Sequence, residues 1–162
     1  MGYTTEFNGQ FKFNTTVSSG FRNYINAFSE TRHMKRNVDK IKEVYPHWEY
    51  NCFNGNLGTE GEYFIETDGD LFGNASIIEV NEPARTQPGL WCQWRVTDDC
   101  SALEWDGVEK FYKYTEWLQY LIDNFIGPCG YKLNGDVEWQ GEESDDRGII
   151  HVVNNKITTE KK

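Results

Sequence analysis

Hydrophobic residues fall on two different periods along this chain, and the changes of period mark its elements. Tyr3, Thr5, Phe7, Phe11 and Phe13 alternate with polar neighbours, which predicts an N-terminal strand with one face in a core. Gly9 takes the place of an inward side chain, a sign of a bulge or a close backbone approach. After Ser18-Ser19, a helix cap, Phe21, Tyr24, Ile25 and Phe28 change to helical spacing, predicting a helix to about Met34. Asn37 caps a second, short helix over Val38 to Val44, which Pro46 stops.

The stretch 47–86 is punctuated by glycines. It predicts a short strand Glu62-Tyr63-Phe64-Ile65, a turn at Thr67-Asp68-Gly69-Asp70 and a short element at Ala75 to Ile78. Leu90 to Val96 predicts a strand that turns at 97–101 and returns through Ala102 to Trp105 as a hairpin. Phe111, Tyr114, Leu118, Leu121, Ile122 and Phe125 then form one stripe of a long helix ended by Gly127-Pro128. Strands follow at 131–134, 136–141 and 148–153. A tight turn at Asn154-Asn155 leads to a return strand at 156–158. The order predicts an α+β fold in two layers. A mainly antiparallel sheet carries one long helix and one or two shorter ones on one face. Residues 1–158 form a single domain, and 159–162 a frayed tail.

Composition sharpens this picture. The chain has 162 residues, enough for one domain that needs no disulfide or metal to fold. Six Trp, nine Tyr and ten Phe give large buried areas from few positions. The net charge of −10 is unevenly placed. Asp98 to Arg147 holds thirteen acids and four bases, while Arg32 to Lys42 holds five bases and one acid. Generic binding to a nucleic-acid backbone is disfavoured at this charge. Cys52, Cys92, Cys100 and Cys129 lack zinc-site spacing, and the opening residues lack the regions of a signal peptide. Free thiols in a cytoplasmic protein are expected, with no membrane-spanning segment and no cofactor.

Two constellations carry candidate chemistry. The acidic turn Glu142 to Gly148 joins two predicted strands. With Asp106 or Asp136, its Asp145 and Asp146 are candidate ligands for Mg²⁺ or Ca²⁺, with Arg147 placed to stabilise developing charge. The tryptophans form the other. On the first hairpin strand Trp94 faces with Cys92 and Val96, and Trp91 with Gln93 and Arg95. Trp105 and Trp139 each stand beside carboxylates. Trp91, Gln93, Arg95, Glu104, Glu138 and Gln140 are therefore candidate binding residues on one sheet face, and Trp105 and Arg147 are further candidate binding residues. His33, at the basic end of the first helix, is expected to be exposed. No Walker loop, dinucleotide fingerprint, nucleophile elbow or zincin motif occurs.

Several segments together carry a family resemblance. They are Gly2-Tyr3-Thr4-Thr5, Phe28-Ser29-Glu30-Thr31-Arg32-His33-Met34, Glu60-Gly61-Glu62-Tyr63-Phe64 and Gln87-Pro88-Gly89-Leu90-Trp91-Cys92-Gln93-Trp94. They continue with Glu104-Trp105-Asp106-Gly107-Val108-Glu109-Lys110-Phe111, Leu133 to Gly141 and Asp145-Asp146-Arg147-Gly148. In these the chain resembles a family of small, functionally uncharacterised proteins encoded by bacteria and their bacteriophages. The resemblance implies a bacterial cytoplasmic setting and brings no functional residues with it. The expected function is non-enzymatic binding of a bacterial protein or a small molecule, in the manner of a phage-encoded inhibitor of a bacterial defence protein. The alternatives are a small metal-dependent hydrolase of a phosphorylated substrate, and a protein that sequesters a nucleotide derivative without turnover.

Overall fold

A computed structural model describes residues 2–66 and 74–162. The turn predicted at 67–70 lies outside the described residues. The chain divides into two compact units, one of residues 1–25 with 93–162 and one of residues 26–92. The fold is α+β.

The first unit is built on β1 (Glu6–Phe13), whose alternation survives as expected. The other strands are β4 (Trp94–Val96), β5 (Ala102–Trp105), β6 (Leu133–Gln140), β7 (Arg147–Val153) and β8 (Lys156–Lys161), while β2 (Lys35–Arg36) and β3 (Ile77–Glu79) belong to the second unit. The sheet order is β4-β5-β1-β6-β7-β8, and every neighbouring pair is antiparallel. Gly9 sits at φ +116°, and a Cβ there would lie 2.7 Å from the Asp136 carbonyl oxygen. Gly135 on β6, opposite Phe11, is at φ +143°, where a Cβ would lie 2.8 Å from the Gln10 carbonyl oxygen. The two glycines let β1 and β6 approach in a backbone geometry closed to other residues.

One face of this sheet is covered. Phe7 meets Trp94, Trp105, Phe111 and Tyr114 at ring-centroid distances of 4.9–5.7 Å, and Phe11 meets Trp94 at 5.6 Å. Such pairs add about 0.5–1.5 kcal/mol each beyond their burial. The covering helices are α1 (Ser19–Ser29), capped by Ser18 Oγ on the Phe21 amide, and α3 (Tyr114–Leu121). Phe13 meets Phe21 at 6.3 Å, and Tyr24 meets Phe125 at 5.3 Å. The predicted long helix is realised with changed ends. Phe111 is buried ahead of it, and it closes in a π-helical turn over Ile122–Ile126. Gly127 stays right-handed, and Gly130, at φ +82°, turns the chain instead. Asn154 and Asn155 form the predicted turn at φ +46° and +71°. The tail expected to fray does not: Thr159, Glu160 and Lys161 pair with Ile150, Ile149 and Gly148.

The second unit contains the short pair β2 (Lys35–Arg36) and β3 (Ile77–Glu79), the helix α2 (Val38–Val44) and a 3-10 turn at Trp48–Asn51. Asn37 Oδ1 caps α2 on the Lys40 amide, as its sequence predicts. Ile41, Tyr45, Cys52, Leu57 and Phe64 form its core. Glu62 to Ile65, predicted as a strand, is turn and loop, because Glu62 is buried as a local acceptor. Its carboxylate takes the Glu60 amide at 2.6 Å and the Thr86 hydroxyl at 3.0 Å. α1 stops at Ser29, short of Met34. His33 then turns inward, contrary to expectation, and is only 3 % exposed. Its Nε2–H donates to the Phe28 carbonyl at 2.9 Å. Arg36 is likewise buried, 4.7 Å from the Phe64 ring centre, and donates to Ser76 Oγ at 2.8 Å. All four cysteines are free thiols, and Cys129 alone of them is exposed. Among the described residues no helix is long and apolar enough to cross a membrane.

Leu118, Leu121 and Ile122 are buried, while Glu109, Lys113, Glu116 and Asp123 are exposed. Leu121→Ala is therefore expected to cost about 2–5 kcal/mol in denaturant melts. Glu116→Ala should change stability by about 0.5 kcal/mol or less. Burial lowers the His33 pKa to about 4, so the folded state keeps it neutral while the unfolded chain protonates it near its ordinary value. The stability this neutral form gives is complete above pH 6.5 and declines between pH 6.5 and 4, by on the order of 3 kcal/mol. An acid-stability profile of His33→Gln should lack that component.

Candidate functional site

The predicted site residues do not form one site. Arg95, Glu104, Glu138, Gln140 and Arg147 do lie on the sheet face opposite the helices. There Arg95 pairs with Glu104 at 2.8 Å and with Asp98 at 2.9 Å. Gln10 on β1 donates to the second Glu104 oxygen at 2.8 Å. Glu138, Gln140 and Arg147, with Glu6, Phe7, Asn8, Trp139, Gly148 and Lys162, line a hollow of about 310 Å³. Trp91 belongs to the other unit and is 38 % exposed. Gln93 is buried, and Trp105 lies on the covered face against Phe7.

The four aspartates are also separated by their partners. Asp136 lies on the open face, where its Oδ1 is 2.7 Å from His151 Nδ1, and Glu160 Oε2 is 3.1 Å from Nε2. Asp146 accepts from the Tyr3 hydroxyl at 2.7 Å and from the Trp139 indole at 3.0 Å, which hold its carboxyl below the usual range. Asp106 caps its own turn on the Val108 amide at 2.9 Å, and Asp145 is exposed. Among the described residues no group of three His, Cys, Asp or Glu is placed to hold a metal ion. Hydrogen bonding within the fold has engaged three of the carboxylates that the sequence offered as ligands.

What several of these residues do together is support the segment 106–113. The Asp106 amide donates to the Gln93 carbonyl at 2.9 Å, and Gln93 Nε2 reaches the Glu109 carbonyl at 3.2 Å. Trp105 Nε1 donates to the Val108 carbonyl at 3.0 Å, and the Tyr3 amide to the Tyr112 hydroxyl at 2.9 Å. The backbone passes through left-handed geometry at Gly107, Lys110 and Lys113, with φ of +85°, +62° and +57°. Such geometry at a residue other than glycine costs of order 1–3 kcal/mol and persists where surrounding contacts enforce it. The segment displays Val108, 55 % exposed, and Tyr112, 52 % exposed. Behind Tyr112 lies the acidic turn: Thr4 donates to Glu142, and the Glu143 amide donates to the Tyr3 hydroxyl. The sequence signal for this surface was the Glu-Trp-Asp-Gly run, read for its carboxylates and not for its turn.

The His151 cluster gives a pH test. Hydrogen bonds to Asp136 and then Glu160 raise its pKa above the ordinary 6.5. The pairing of the protonated ring is thus complete below pH 6.5 and is lost as pH rises through the raised value. Ring-proton NMR should find His151 titrating above 6.5, and Asp136→Asn should move it down. A midpoint at or below 6.5 in the unaltered protein would contradict the cluster. Comparison with protein-family models, curated proteins and solved structures finds no match to this chain.

Proposed function

We propose that the protein is a non-catalytic binding protein whose partner-facing surface is the segment 106–113 with the acidic turn 142–146. The observation that carries this reading is the pinned display of Val108 and Tyr112. An apolar and an aromatic side chain stand in water on a backbone held in costly geometry by Gln93, Trp105, Asp106 and Tyr3. Exposed aromatic anchors with a polar rim are what protein interfaces use for most of their binding energy. The rim here sets Glu109, Glu142 and Glu143 beside Lys110 and Lys113, an acidic excess in a chain of net charge −10, so the fitting partner presents a net basic surface around an apolar hollow. In its finer form, resting on the family resemblance, the reading is a phage-encoded inhibitor acting on a bacterial protein.

Immobilised protein incubated with bacterial lysate is expected to retain a stoichiometric protein partner, less firmly as salt rises. Val108→Asp should lose that partner while its melt stays within about 0.5 kcal/mol of the unaltered protein, as for other exposed positions. Retention by the variant would exclude this surface. Recovery of no partner even at low salt would count against the binding reading itself.

A further inference from the structure

The strand order ends on β8, and among the described residues nothing pairs with its outer side. The Lys162 amide donates to the Arg147 carbonyl at 2.9 Å, which makes 147 and 162 a hydrogen-bonded pair. Bonding alternates along an antiparallel ladder, so Lys156, Thr158 and Glu160 turn their backbone groups toward β7. Ile157, Thr159 and Lys161 turn theirs outward. Thr158, Thr159, Glu160 and Lys161 are exposed. An edge of this kind is a template for another strand unless it is blocked.

We propose that β8 pairs with β8 of a second copy of this chain, antiparallel about a two-fold axis at Thr158, joining two sheets into one. The charge pattern selects this occupant and this register. An added antiparallel strand must set outward residues against outward residues. Centring on Thr158 does so: Ile157 opposes Thr159 of the second copy, and each such pair exchanges both main-chain bonds. The same register sets Lys156 opposite Glu160 of the second copy, and the symmetry repeats that opposite-charge pair. These fall at non-hydrogen-bonded positions, where facing side chains are closest. Centring on Thr159 would set Lys156 against Lys162, and centring on Ile157 would leave Lys156 facing Thr158. Glu160 already accepts from His151 within its own chain, and a carboxylate has lone pairs for both contacts.

Sedimentation from micromolar to millimolar protein should show a monomer–dimer equilibrium. Thr159→Pro removes an outward N–H without touching the bonds to β7, and should give a monomer with an unchanged melt. Lys156→Glu sets like charges opposite each other, and should lower the dimer fraction at least tenfold at low salt. The register is read by crosslinking. In a Cys129→Ser background, Thr158→Cys lies on the axis at a separation suited to a disulfide, and should oxidise to a covalent dimer. A wild-type monomer throughout the range, a dimer indifferent to Lys156→Glu, or no crosslink through Thr158→Cys would overturn the proposal.

Discussion

The close approach of β1 and β6 is the constraint on which the first unit depends. Gly9 and Gly135 each leave room for the other strand's carbonyl, and a Cβ at either would meet backbone oxygen within 3 Å. With the strands so placed, Phe7, Phe11 and Phe13 stand on one face beside Val137 and Leu133. Phe7 then gathers Trp94, Trp105, Phe111 and Tyr114. That aromatic cluster fixes both ends of the segment 106–113, since Trp105 and Tyr114 flank it and Phe111 anchors it from within. The surface proposed for binding is therefore a consequence of core packing, with its strain offset by burial elsewhere.

The opposite face of the sheet obeys a different rule. Side chains there are polar and engage one another across strands: Arg95 with Glu104, Glu104 with Gln10, and Asp136 with His151 and Glu160. Pairs exposed to this degree add little stability. They do constrain which charges remain available, and among the predicted metal ligands they engage Asp136. Asp106 and Asp146 are engaged elsewhere, by the Val108 amide and by Tyr3 and Trp139, and among the described residues no three His, Cys, Asp or Glu are placed to hold a metal ion.

The architecture was legible in the sequence wherever periodicity was long. β1, the stripe of α3 and the hairpins came from alternation and spacing, and Gly9 from its place in an otherwise apolar row. Failures came where a polar residue was buried. His33 and Arg36 look like an exposed basic helix end. Yet the helix stops at Ser29, and both turn inward onto Phe28 and Ser76. Glu62 to Ile65 has strand composition, but the buried Glu62 carboxylate draws the Glu60 amide into a turn. Of the candidate site, residue identity was legible and role was not. Gln93 and Trp105 are singled out by the sequence as binding contacts and Asp106 as a metal ligand, and in the structure each positions the backbone of its neighbours through bonds that no spacing rule encodes.

The central claim is that residues 106–113 present a preformed surface held by the sheet. Native-state hydrogen exchange on the free protein tests it most directly. The account predicts slowest exchange in β1 and β6, with the Asp106 and Val108 amides protected well above coil rates by Gln93 and the Asp106 carboxylate. Coil-like exchange at Asp106 and Val108, beside a protected sheet, would mean that the surface is not preformed and would contradict the account.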